Sequence, residues 1–208
     1  AVNTHSYETE EIMKKPAHTS VPLHPLLQER WSPRGFDANA TLTDDELVAL
    51  LEAARWAPSG NNIQPWRIAI ARRGDAMFET FAESLAGFNK SWAPAASALL
   101  VICVDTLDAD GKPRKWGMYE AGLAGSAITV QATAMDLAVH QMAGFKASVV
   151  AEALGLVEHV EPVIMMAIGT QVAAETLEGE LRTREELPRS RRELSEIVVY
   201  GLPESYKN

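Results

Sequence analysis

The sequence predicts an α+β or mixed α/β fold, and three observations carry that expectation. Residues 98–104 (ALLVICV) and 162–169 (PVIMMAIG) are continuous apolar runs, the pattern of strands covered on both faces. Residues 118–139 form a long, alanine-rich stretch that reads as a central buried helix. Shorter helical patterns lie between these runs, so three or four strands alternate with helices.

The elements follow in order. Residues 1–22 read as an exposed N-terminal arm, with a short helix around residues 7–15 and a proline-punctuated end. Residues 23–208 read as a single domain, since no internal repeat or low-complexity linker divides them. A short helix over 24–30 leads into an extended segment at 31–37. Thr43-Asp44-Asp45-Glu46 is a capping box, in which the Thr hydroxyl accepts the Glu46 N–H and the Glu46 carboxylate reaches back. Leu47, Leu50, Leu51 and Ala54 recur at helical spacing until Pro58 stops the helix near Ala57. Residues 67–71 alternate as a short strand, and residues 75–85 read as a helix with Met77, Phe78 and Phe81 inward. A further helix spans 148–154, and Val198, Val199 and Tyr200 suit a final strand or strand-like arm.

Composition narrows the function. The chain has 208 residues, with 19 Lys+Arg against 28 Asp+Glu and a formal net charge of −9. An acidic protein has no general attraction to phosphate backbones or anionic lipid, so nucleic acid and membrane surfaces are poor partners. Residues 121–139 are about long enough to span a bilayer, but Gln131, Asp136 and several hydroxyls make them too polar for lipid. The first twenty residues lack an apolar signal core, so a cytoplasmic location is expected. Cys103, the single cysteine, stands inside an apolar run and reads as buried and structural.

Several chemistries find no support. There is no GxxxxGK[ST] loop, no GxGxxG after a strand, no HExxH and no GxSxG elbow. His5, His18, His24, His140 and His159 show no paired metal spacing and read as scattered surface residues. What stands out is anion chemistry in two places. Arg30, Ser32 and Arg34 alternate, so an extended chain points all three the same way. Arg182, Arg184, Arg189, Arg191 and Arg192 crowd eleven residues near the other end. A phosphate monoester, with close to two negative charges, is a natural target. The competing reading pairs these arginines with Glu185, Glu186 and Glu193 on a solvated surface. The third feature is APSGNNIQPW at 57–66, a donor-rich turn of small residues suited to close approach of a planar polar ring, or merely a helix stop. Asn89 and the turn at Gln141-Met142-Ala143-Gly144-Phe145 are weaker candidates.

Taken in order, Arg30-x-Ser32-x-Arg34, AARWAPSGNNIQPW, Asn89, Ala143-Gly144-Phe145 and Leu187-Pro188-Arg189-Ser190-Arg191 resemble the FMN-dependent nitroreductase family. The resemblance covers roughly residues 24–200, and APSGNNIQPW is its most specific part. It implies an α+β, nitroreductase-like fold with a mostly antiparallel sheet flanked by helices, in an intertwined homodimer holding FMN at the subunit interface. It implies FMN as cofactor, NAD(P)H as electron donor and a small acceptor. Carried over, Arg30 meets the FMN phosphate with Arg189 and Arg191, while Trp31 contributes backbone. Ser32 and Arg34 lie toward the ribityl chain and pyrimidine edge. Pro58, Ser59, Gly60 and Asn62 come from the partner chain to pack on the ring, and Asn89 bonds the pyrimidine. Gln141, Met142, Ala143 and Gly144 line the ring, with a backbone N–H near N5. No side-chain nucleophile or obligatory base is implied.

Where many relatives place a lysine three residues after the Asn, this chain has Trp92, which leaves Arg34 as the nearby cation. A reductase is the expected branch. An FMN enzyme of another branch, dehydrogenase or dehalogenase-like, or a non-catalytic FMN-binding protein remain as alternatives. The basic loop at 110–117 (DGKPRKWG) reads as a lid toward a nicotinamide cofactor or acidic acceptor, or as a solvated turn.

Overall fold

Burial on both faces decides which strands lie at the centre of the sheet. In the computed structural model, which describes residues 14–207, four strands pair antiparallel in the order β1-β2-β4-β3. They are β1 (Trp66–Arg72), β2 (Ala98–Asp105), β3 (Ala138–Met142) and β4 (Val160–Gly169). The two apolar runs are the inner strands, as the pattern predicts. Along β2 the side chains alternate between two cores. Leu99, Val101 and Cys103 join Phe78, Phe81, Leu85, Trp92 and Met165 on one face. Leu100, Ile102 and Val104 join Leu50, Ala54, Ala124, Ile128 and Met166 on the other. Each large aliphatic side chain buried this way contributes roughly 1.5–3 kcal/mol. Cys103 is buried as expected, and desolvation pushes its thiol up to about 11.

Pro162 has no N–H to give a ladder, and it stands where the β2–β4 register shifts, opposite Cys103. The face with Leu50 and Ile128 is covered by α2 (Asp44–Arg55) and α4 (Gly117–Ala134), the other by α3 (Ala76–Ser84) and α5 (Ala147–Ala153). The capping box of α2 forms: Glu46 N–H donates to Thr43 Oγ1 at 3.2 Å, and Thr43 N–H donates to Glu46 Oε2 at 2.8 Å. The remaining helices are α1 (Pro25–Glu29), α6 (Gly179–Glu186) and α7 (Leu194–Ile197).

Two expectations fail here. Residues 118–139 are not one helix: α4 stops at Ala134, and Ala138–Met142 turn back as β3. Asp136 takes a left-handed φ of 55°. Its N–H reaches Thr133 O at 3.2 Å and that of Leu137 reaches Ala132 O at 2.9 Å. That pattern is a Schellman stop with Asp in the usual glycine position. Val198–Tyr200 form no strand either. Val199 and Tyr200 are 100% and 96% exposed, because within one chain no strand edge receives them. The short helix expected around residues 7–15 falls largely outside the described residues; Lys14 and Lys15 are irregular. Among the described residues, no helix is long and apolar enough to cross a membrane.

Candidate functional site

The tail arginines reach the start of the chain because one buried carboxylate ties two segments together. After α1 the chain runs extended, and Asp37 N–H donates to Thr170 O at 2.9 Å, which pins the segment to the end of β4. Glu185, on α6 and fully buried, accepts the Arg34 N–H at 2.8 Å and the Gly35 N–H at 3.1 Å. A Cβ on Gly35 would lie 2.9 Å from a Leu177 methyl and 3.0 Å from a Val172 methyl, so a larger residue here would have to push those side chains aside. Pro188 follows the end of α6 and sends Arg189 and Arg191 back toward Arg30.

There Arg189 Nη1 donates to the carbonyl oxygens of Lys15 and Gln28, the latter at 3.1 Å. Arg30 Nη1 lies 3.4 Å from Ser32 Oγ, so the alternating trio does share one side. Lys15, Arg30, Ser32, Arg34, Arg189 and Arg191 line a cavity of about 230 Å³, with Trp31 beneath the Lys15 ammonium at 4.3 Å. Among the described residues none of these four arginines forms an ion pair. Desolvation, then repulsion by Arg191, lowers the pKa of Arg30; desolvation, then Arg30 and Arg191, lowers that of Arg189. The surface-pair reading holds one turn earlier, on α6, where Arg182 bonds Glu186 and Arg184 bonds Glu180, each at 2.8 Å. Glu185, expected among those pairs, instead faces backbone.

A second group adjoins the first. Arg184 stacks over Phe88 at 4.2 Å, and Asn89, one residue on, donates its Nδ2 to Gly144 O at 3.2 Å. A Cβ on Gly144 would stand 2.9 Å from that nitrogen. Ala143 is exposed, whereas Gln141 and Met142 belong to the end of β3 rather than to a turn. Met142 is buried, and Gln141 spends its amide on Thr129 Oγ1 of α4 at 3.1 Å.

His140 links the two groups and corrects the surface reading of the histidines. It is half-buried, with Nδ1 2.9 Å from Pro33 O and its ring 4.5 Å from that of Trp92. A carbonyl only accepts, so Nδ1 carries the hydrogen. Desolvation chiefly, with Arg34 adding to it against the Pro33 bond, lowers its pKa to about 4. Trp92 is itself core, 2% exposed and stacked on Phe36 at 6.1 Å.

The turn at 58–64 lies elsewhere. Asn61, Asn62 and Gln64 are all left-handed, with φ of 50°, 57° and 52°. The turn is held by Glu120, in the first turn of α4, whose Oε1 accepts from Ser59 Oγ at 3.2 Å and from the Gly60 N–H. Ser59 Oγ in turn accepts the Gln64 N–H at 2.8 Å, and Gln64 Nε2 donates to Asn62 Oδ1 at 2.8 Å. Pro58, Ser59, Gly60, Trp116, Tyr119 and Glu120 line a cavity of about 460 Å³. Arg30 neighbours Thr133 near the other end of α4. At 1.5 Å rise per residue, roughly 20 Å of helix separates Glu120 from Thr133.

One chain therefore gathers Arg30, Trp31, Ser32, Arg34, Arg189 and Arg191, sets Asn89, Ala143 and Gly144 beside them, and leaves Pro58, Ser59, Gly60 and Asn62 at the far end of α4. Lys15, Glu120, His140 and Glu185 escape the sequence reading. An acidic residue in a helix's first turn is the only signal that Glu120 gives. The basic loop is stapled rather than open. Asp108 Oδ1 accepts the Lys112 N–H at 2.8 Å, and Leu107 bridges Pro113. Arg114 faces Asp105 at 4.0 Å, and Lys115 lies over Trp116 at 4.8 Å.

The family model described as "Nitroreductase family" matches residues 27–170. The chain is 34% identical over 143 residues to an uncharacterized 15.4 kDa protein of Mycolicibacterium smegmatis, covering 65% of this chain and 95% of that one. It is 40% identical over 78 residues to an oxygen-insensitive NADPH nitroreductase of Helicobacter acinonychis, but the match spans only 38% of this chain and 36% of that enzyme. A crystal structure of an oxidoreductase containing FMN superposes with a TM-score of 0.83 at 31% identity, covering 89% of this chain and 94% of that one.

Proposed function

The chain belongs to the nitroreductase family, and from that premise we propose that it is an FMN-dependent oxidoreductase of the nitroreductase type. It passes electrons from NAD(P)H to a small, aromatic acceptor by a ping-pong mechanism, in the cytoplasm. Residues 23–208 act as one FMN-binding domain behind the arm at 1–22. The single observation carrying this reading is the cluster of Arg30, Arg189 and Arg191, which repel one another and have no carboxylate partner among the described residues. Such an arrangement is unfavourable unless a multiply charged anion fills it, and the FMN phosphate fits that description. Gly144, where a Cβ would strike Asn89, leaves an open backbone beside it for a flat ring.

Bound FMN supplies hydride and electron transfer; the protein binds, orients and shields it. Arg30, Arg189 and Arg191 hold the phosphate. Ser32 and Arg34 meet the polar chain and pyrimidine edge, Asn89 offers its amide, and Gln141, Met142, Ala143 and Gly144 border the ring. Pro58, Ser59, Gly60 and Asn62 lie toward the other end of α4, which supports the reading that a second copy of the chain supplies them to the ring. The exposed side of α4 supports that assembly: Met118, Tyr119, Gly122 and Ser126 are exposed, and Leu123, Ala127 and Val130 half-buried. An interface above about 1,600 Å² is expected there.

Three measurements on purified protein test this proposal. The expected results are a flavin spectrum at about one FMN per chain, dimeric sedimentation, and NAD(P)H oxidation that accelerates with a nitroaromatic. A colourless monomer overturns the proposal. Flavin without turnover by any donor leaves binding alone.

A further inference from the structure

Residues 14–17 run without helix or strand beside the arginine cavity, and they are tied to both of its walls. Toward the wall near α1, the Ala17 N–H donates to Gln28 O at 2.8 Å, and the Lys15 ammonium lies over Trp31 at 4.3 Å. Toward the tail, Lys15 Nζ donates to Leu187 O at 2.9 Å, and Lys15 O accepts from Arg189 Nη1. An ammonium carries three hydrogens, and Leu187 takes one of them. Among the described residues Lys15 forms no ion pair. Desolvation chiefly lowers its pKa; Glu185 opposes the shift, and Arg34 and Arg189 add to it. A half-buried cation with hydrogens still to give therefore joins four guanidinium groups around one cavity. Lys15 also stands ahead of residues 27–170, the part of the chain that matches the family.

We propose that residues 14–17 are a strap beside the cofactor phosphate, in which Lys15 Nζ is a further phosphate ligand and the backbone ties slow the cofactor's release. The inference rests on the FMN-binding reading and deepens it, by adding a ligand and a means of retention from outside the matched segment. Two physical reasons support it. A phosphate monoester brings close to two negative charges and three acceptor oxygens, which relieves the repulsion among Lys15, Arg34 and Arg189. The strap also aims one of the arginines. Arg189 rests on the carbonyls of Lys15 and Gln28, so a detached strap would leave Gln28 alone to orient it. Opening the strap breaks the bonds to Gln28, Leu187 and Arg189 together, and that concerted loss is what slows release.

The test uses the full chain stripped of flavin and titrated with FMN or with riboflavin, which has the same ring and no phosphate. Affinity is read by fluorescence, and release by rapid mixing with a competitor. Lys15→Gln should weaken FMN about tenfold or more while moving riboflavin by less than about twofold, as loss of one charge-assisted bond to phosphate requires. Lys15→Arg, which keeps the charge, should return FMN affinity to within about threefold of wild type. Ala17→Pro keeps the ammonium but removes the N–H given to Gln28, and should speed FMN release about fivefold without changing that of riboflavin. Unchanged FMN affinity in Lys15→Gln overturns the proposal. So does an equal loss for both flavins, which would make Lys15 a prop for the fold, and so does unchanged FMN release in Ala17→Pro. A wild-type chain that binds neither flavin overturns the strap and the proposed function together. Lys15-dependent FMN binding without NAD(P)H turnover sustains the strap and counts against the oxidoreductase reading alone.

Discussion

The two ends of α4 are built to opposite specifications. Near Thr133 the chain concentrates Arg30, Arg34, Arg189 and Arg191 around a small polar cavity, and its one adjacent buried carboxylate, Glu185, is spent on backbone N–H groups. Near Glu120 the cavity is larger, walled by indole and phenol rings, and its charge is negative. Neither end is a complete site. The cationic end lacks a cover for a flat ring, and the aromatic end lacks anything to hold a phosphate. The difference teaches that one helix keeps a cationic cluster and an aromatic cavity apart within a single chain, which is the separation that the proposed dimer would bridge.

The comparison breaks most sharply at the cationic end. Arg189→Ala/Arg191→Ala should weaken FMN binding by a hundredfold or more. Each charge-assisted hydrogen bond contributes roughly 1.5–3 kcal/mol. Fluorescence titration would show this, and unchanged affinity would return the cluster to solvated surface. Replacing Arg182, which is paired with Glu186 on α6 and does not line the cavity, should change affinity by less than about threefold.

A change of pH sharpens the same contrast. His140, folded behind Arg34, has a pKa near 4 against an ordinary 6.5, so the unfolded chain takes up its proton first. Stability from this group is full above pH 6.5 and falls as pH drops toward 4, on the order of 3 kcal/mol in total. Urea midpoints between pH 7 and 4.5 should decline in wild type, and the decline should flatten in His140→Asn.

The smallest effect belongs to the basic loop. With Arg114 facing Asp105 and Lys115 resting on Trp116, Lys112→Ala should alter the ratio of KM values for NADPH and NADH by less than about threefold. A tenfold selective loss for NADPH would restore the lid.

What the sequence reveals, and what it hides, follows the range of the interaction. The capping box at Thr43 and Glu46 is local, so it is legible, and the runs in β2 and β4 announce their own burial. The break between α4 and β3 is not, because it depends on Asp136 adopting a conformation usually left to glycine, while apolar spacing continues through Leu137 and Val139. The alternation of Arg30, Ser32 and Arg34 reads correctly from the chain, yet nothing local says which tail arginines join them. Glu185 decides that, across 150 residues, by choosing backbone donors over its arginine neighbours. His140 and Glu120 are hidden for the same reason: their partners, Pro33 and the 58–60 turn, are remote in sequence.

The strand order also sets the chain's history at the ribosome. β1 and β2 can zip together early, but β2 shows its second apolar edge until β4 arrives, and β3, though made first, pairs only with β4. Some sixty residues separate the end of β2 from that of β4, roughly 3–12 s of synthesis at 5–20 residues per second. During that interval one edge of ALLVICVD awaits its neighbour, an unpaired edge of the kind that invites aggregation. Arg189 and Arg191 emerge later still, so the full arginine cluster is assembled only after every strand of the sheet has been made.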